Sequence, residues 1–237
     1  QLWDLQSAEY ALFVSDYAQI LIPAKDKEVL RKLHQVPGLQ ALTAYYDGVF
    51  EYFNYLAGLS FESVAPTDKN IPNRYFMKAD KSGVGAGYYG GDWTAETSDS
   101  VAAFWLDIKA TNWGSLHEIG HGYQGSFMAN SSINMAEVWN NVLAASYQNK
   151  MLGETVYADG WLYSGGEEKL YKDAMVEFDS ESAIQTNHLI LFFYLLMFER
   201  MGEKGVVEFF QRYRRLSNGQ GFKVEDHPTM ELLSSIA

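Results

Sequence analysis

Cysteine is absent from the chain. No disulfide can therefore hold the fold, and the redox compartment stays open, since many secreted bacterial proteins also lack cysteine. Basic residues are scarce, with 18 Lys and Arg against 30 Asp and Glu and a formal net charge of −12. That balance argues against a nucleic-acid partner, whose phosphates must be neutralised by Lys and Arg. It also disfavours an anionic membrane surface. Long apolar runs are missing too. The longest, "LILFFYLLMF" at 189–198, has ten residues, about half of the ~20 that a membrane span needs. It reads as a buried helix, and the chain as a soluble domain that is not transmembrane. The sequence opens on Gln1 without an initiator Met or a charged-then-apolar leader. A processed or excised piece is expected.

What is present suffices for a core. The 237 residues are 47% hydrophobic and 20% charged, enough for one large domain or two lobes around a cleft. "YALFVSDYAQILIP" (10–23) is aromatic and β-branched and predicts one or two strands. "KDKEVLRKLHQV" and "LQALTAYYDGVFEYFNYLAG" carry apolar residues at helical spacing, the second closing at Gly58. "YFMKAD" and "GVGAGYYGGDW" read as extended. "SVAAFWLDI" (100–108) reads as a buried strand or the start of a helix. A helix capped by Thr111 or Asn112 is expected to run to about Gly125. A second is expected over 134–153, stopped at Gly153. A polar, irregular stretch precedes two more helices, "NHLILFFYLLMFERMG" and "KGVVEFFQRYRRL". Strands come first and helices second, which is an α+β plan for a single domain over 1–237. Its N-terminal lobe would span 1–125 and its mostly helical C-terminal lobe 126–237.

The chemistry concentrates in "NWGSLHEIGHGYQ" (112–124). His117 and His121 are four apart, so a helix places them one turn above the other on one face. Two such imidazoles can reach one Zn²⁺ at ~2.0–2.1 Å. Glu118, one step round the helix, can take a proton from water without being a ligand. A catalytic zinc usually takes three protein ligands. Glu137, separated from His121 by fifteen residues and on the next expected helix, is the candidate third. Asn140 and Asn141 could then hydrogen-bond a ligand. The five-residue pattern alone arises by chance in roughly one such chain in a hundred. Glu137 could also close a capping box in "NMAE". The conjunction of motif helix, reversal and glutamate favours a single zinc ion.

These residues resemble a known family. Trp113, Gly114, His117, Glu118, Gly120, His121, Tyr123 and Gln124, followed by Glu137, Val138 and Asn141, are similar to the motifs of the enhancin-like zinc metallopeptidases. That mucin-degrading group includes the viral enhancins. "AGYYGG" (86–91) resembles the extended segment ahead of the family's motif, with Tyr89 where the family favours proline. The likeness is sharp over about 86–150. It implies a zincin fold of the gluzincin type, with zinc on His117, His121 and Glu137 and with Glu118 as the base. It also implies a secreted or cell-surface endopeptidase acting on mucin-type, O-glycosylated proteins.

Other features divide between function and fold. Gly85, Gly87 and Gly90 spell G-x-G-x-x-G, but no helix pattern follows them, which argues against a dinucleotide. The better functional reading is an edge strand along the cleft, its glycines letting a substrate backbone approach and pair, and a plain glycine-rich turn fits equally well. Tyr88, Tyr89, Asp92 and Trp93 could contact a sugar, although aromatic clusters are more often core. His188 could polarise the scissile carbonyl or simply end a helix. His34 and His227 read as solvated surface, and "DSES" (179–182) is too short for a calcium site. The expectation is a monomeric zinc endopeptidase. The rivals are a glycoprotein-binding domain on the same fold and a zinc hydrolase with a non-protein substrate.

Overall fold

A computed structural model describes residues 8–35, 38–109, 112–125, 136–153, 172, 175–176, 187–227 and 234. The chain divides into two compact units, Gln1–Glu51 with Pro72–Gly122 and Tyr52–Ile71 with Tyr123–Ala237. Helices and a five-stranded sheet make a mixed α+β architecture.

In the first unit, "YALFVSDYAQILIP" forms two strands, β1 (Tyr10–Val14) and β2 (Ala18–Pro23), paired antiparallel. Helices α1 (Lys27–Gln35) and α2 (Gly38–Leu56) lead to β3 (Tyr75–Ala79), which pairs parallel with β2. Then come β4 (Gly87–Tyr89) and β5 (Trp93–Glu96), and the sheet order is β1-β2-β3-β5-β4. Alternation along the strands puts Ala18, Ile20, Ile22, Met77 and Thr94 on one face, all buried. Tyr75 shares that face and packs its ring 5.6 Å from Phe50 of α2.

The glycine-rich segment expected to be one extended piece is a hairpin that turns over residues 90–92. Its second strand, β5, is central, so Thr94, Ala95 and Glu96 are all buried and no half-polar alternation marks it. Residues 100–108 are neither strand nor helix but a chain of turns. Side chains from elsewhere take their backbone groups. Asp26 accepts from Val101 N at 2.7 Å, Glu96 from Phe104 N at 3.2 Å, and the Tyr46 hydroxyl donates to Trp105 O at 2.7 Å. Such groups are satisfied without a ladder.

The second unit is helical in its described residues. Helix α4 (Trp139–Leu152) ends at Gly153 as expected. Helix α5 (Asn187–Ser217) breaks at Gly202, whose φ of 66° and ψ of 168° are not helical. The two helices expected from the sequence therefore meet where only glycine sits without strain. Trp139 anchors the unit's core, its ring 4.6–5.9 Å from Tyr194, Phe198, Phe209 and Phe210. Asp68 is buried and accepts from Arg214 at 3.2 Å and Arg215 at 3.0 Å. Arg214 also donates to the carbonyls of Ala57, Gly58 and Thr67, binding the end of α2 through charge-assisted hydrogen bonds.

Two stability predictions follow from these buried carboxylates. Asp68→Ala leaves the Arg214 guanidinium without its counter-charge and should cost about 3 kcal/mol in urea unfolding; a loss below about 1 kcal/mol would show the pair to be idle. Burial pushes the Glu96 carboxyl up from 4.5 to about 6, opposed by the Phe104 N–H and aided by the Asp26 charge. The folded state thus holds this proton more tightly than the unfolded chain. The resulting stability is complete below pH 4.5 and is lost as pH rises through about 6. Glu96→Gln should flatten that component, so its urea midpoint falls less than the parent's between about pH 4.5 and about pH 7.

Candidate metal centre

Helix α3 (Trp113–His121) carries the motif. Asn112 caps it, as one of the two expected residues. Its Oδ1 accepts from Ser115 N at 3.4 Å, while its Nδ2 donates to Phe104 O and Asp107 O, both at 2.7 Å. One side chain therefore starts the helix and ties it to the preceding turns. The helix stops at His121, four residues short of the expected Gly125, and leaves Tyr123 and Gln124 beyond its end. Thr111 lies outside the described residues.

The helix buries Leu116 and Ile119 and keeps His117 and His121 half exposed. Their rings stand 4.9 Å apart and nearly perpendicular, as one helical turn dictates. Glu118 is only 5% exposed, one residue step of about 100° from His117. Ser115 is fully buried, within hydrogen-bond distance of the Tyr45 hydroxyl at 3.2 Å.

The sheet presses its edge on this helix. A β-carbon at Gly87 would sit 3.0 Å from Glu118 Oε1 and 2.7 Å from the Phe104 ring. One at Gly114 would lie 2.8 Å from the same ring. Phe104 thus fills the room that two side chains would need, and glycine is required for the approach. Tyr75 donates its hydroxyl to Glu118 O at 3.2 Å. Tyr89 stacks with both Tyr75 and His121, at 6.2 and 6.0 Å between ring centroids. Tyr88, on the opposite face of β4, donates to Asp80 at 2.6 Å and meets Trp93 edge-on at 5.3 Å. Asp92 is exposed in the hairpin turn. Gly87 and Tyr89 therefore share the face of Glu118, whereas Tyr88 and Trp93 do not.

The main-chain groups of β4 are also sorted. Gly90 N donates to Trp93 O and Thr97 N to Ala86 O, and Tyr88 is in register with Ala95. Even-numbered residues bond toward β5, so the N–H and C=O of Gly87 and Tyr89 point away from it.

Glu137 is exposed and lies in a turn ahead of α4, not on a helix as the sequence suggested. Helix α4 begins at Trp139, and Val138, its N-cap, makes no side-chain cap. Asn134, the other half of the possible capping box, is outside the described residues. Asn141 donates its side-chain amide to Glu137 O at 2.7 Å, and Asn140 accepts from Asn141 N at 2.9 Å. Asn141 thus holds the turn by its backbone. Gln124 donates to Ala136 O, on the residue before Glu137. His188 falls in the first turn of α5, with its side chain outside the described residues, and "DSES" (179–182) lies wholly outside them.

One ligand atom from each of His117, His121 and Glu137 lies within 4.8 Å of the other two. Two imidazole nitrogens and a carboxylate oxygen form a donor set that suits zinc or a similar divalent ion. The residues present fit such an ion. Sequence reasoning missed Phe104, Tyr75, Glu96 and Trp139. Only the paired demand for glycine at 87 and 114 hinted at the first.

Residues 3–230 match the family model for Peptidase M60, enhancin and enhancin-like. The viral-enhancing factor of Pseudalatia unipuncta granulosis virus is 34% identical over 151 residues, 63% of this chain and 16% of that protein. The chain therefore spans about a sixth of the length of this viral relative. A functionally unknown conserved protein of Bacillus anthracis, solved as a mutant, superposes with a TM-score of 0.72 at 16% identity, over 92% of this chain and 43% of that one. The M60 catalytic domain of Clostridium perfringens ZmpC, solved with the sialyl T antigen, gives 0.58 at 15% identity, over 92% and 41%. Among the described residues no helix is long and apolar enough to cross a membrane. With a family match over nearly its whole length, the chain belongs to Peptidase M60, the enhancin and enhancin-like metallopeptidases.

Proposed function

We propose that this chain is a single catalytic domain of a secreted or cell-surface zinc endopeptidase that cleaves mucin-type, O-glycosylated proteins. The observation that carries this reading is Glu118, buried one step round α3 from His117 and close behind Gly87 of the edge strand. Family membership and the sialyl T antigen in complex with the ZmpC domain support a glycoprotein substrate.

His117, His121 and Glu137 would hold the ion. When bound, zinc would act as a Lewis acid toward water and toward the scissile carbonyl. The protein's own groups do the rest. An extended substrate pairs with the outward N–H and C=O of Gly87 and Tyr89, as in β-strand addition. That pairing brings the peptide alongside Glu118. A Glu118 carboxylate oxygen takes a proton from the attacking water and hands it to the leaving nitrogen. His188 is the proposed donor to the carbonyl oxygen. Substrate side chains alternate faces along such a strand, so a sugar on the far face would meet Tyr88, Asp92 and Trp93. Asn140 and Asn141 serve by fixing the turn that presents Glu137.

Glu118→Gln keeps the shape but cannot take the proton. It should lower cleavage of a defined O-glycoprotein, read by mass spectrometry of the fragments, by about 10²–10⁴-fold while elemental analysis still finds one zinc. Full activity in this variant, or glycoprotein binding without chelator-sensitive fragments, would overturn the proposal.

A further inference from the structure

Tyr89 occupies a position that the proposed reaction uses only through its backbone, yet its side chain lies against a metal-ligand candidate. Its ring is nearly parallel to that of Tyr75, at 6° between planes, and tilted 20° from the plane of His121. Both centroid separations fall within the ~4.5–7 Å range of favourable aromatic contacts. The ring is held at both ends. Its backbone is in register with Thr94 in the β4–β5 ladder, and its hydroxyl donates to Gly91 O in the hairpin turn. Tyr75, the other ring of the stack, donates to the main chain of α3 at Glu118 O. The contacts close a circuit from β4 through Tyr89 to His121, along one turn of α3, and back through Tyr75.

From this circuit we infer that Tyr89 is a positioning residue for His121, fixing the plane in which that imidazole offers its nitrogen to the metal. An imidazole free to turn about its side-chain bonds must be ordered when the ion binds, which weakens affinity. Neighbours that hold a ligand ring remove that cost. The inference rests on the zinc-site reading given above. It adds a residue of the substrate-binding strand to the apparatus that sets metal affinity.

The test measures zinc affinity by competition with a chromophoric chelator and records the visible spectrum of the cobalt-substituted protein. Tyr89→Phe keeps the ring and its stacking and loses only the bond to Gly91, so its zinc affinity should fall between that of the parent and that of the variants without the ring. Tyr89→Ala and Tyr89→Leu should bind zinc about 10–100-fold more weakly, the range seen when groups that orient a ligand are removed, and should shift the cobalt spectrum. Tyr89→Leu keeps apolar volume on the strand, so it decides the matter if the alanine variant fails to fold. Parent-like affinity and spectrum in a folded Tyr89→Leu protein would overturn the inference and leave the zinc site standing. A parent protein that binds no zinc would overturn both.

Discussion

The first unit is organised around a space too small for a methyl group. Strand β4 passes so close to α3 that a β-carbon at Gly87 would crowd both the Glu118 carboxylate and the Phe104 ring. Phe104 occupies the gap from one side and rests against Gly114 as well. Its backbone N–H is held by Glu96, the residue directly opposite Gly87 in the β4–β5 register. Strand, helix and the turns at 100–108 are thus mutually defined by one ring and two glycines. Interiors packed at this density transmit displacement, so the depth at which Glu118 sits is inherited from the sheet.

Glu137 is set by different means. Two residues on, Trp139 is fully buried among four aromatic rings of its unit. Asn141 grips the Glu137 carbonyl from the first turn of α4. The Glu137 backbone is thus anchored within its own unit, whereas the histidines are set by a helix capped and braced at its start.

The site was legible in the sequence to the extent that its logic is local. Two histidines four apart, a glutamate between them and a capping Asn112 need only helical periodicity to be read. The break at Gly202 and the stop at Gly153 are likewise local backbone chemistry. Long-range pairings were not legible. Nothing in "WTAE" announces that both faces of β5 are covered, and nothing in "SVAAFWLDI" shows that Asp26 and Glu96 will claim its N–H groups. Glu137 was recognised for its chemistry and placed on the wrong element, because the apolar period starts before the helix does. Tyr89 was read as a sugar contact, and its stacking on His121 depends on a strand pairing that no short window contains.

The brevity of β4 has a consequence for the protein in bulk solution. A sheet edge with outward N–H and C=O groups invites any extended chain, including another copy of the same protein. Here the edge is three residues long and ends in a turn over Gly90, Gly91 and Asp92. Three residues leave few outward main-chain groups for another strand to pair with. Shortness at this edge is one guard against strand-to-strand pairing of copies.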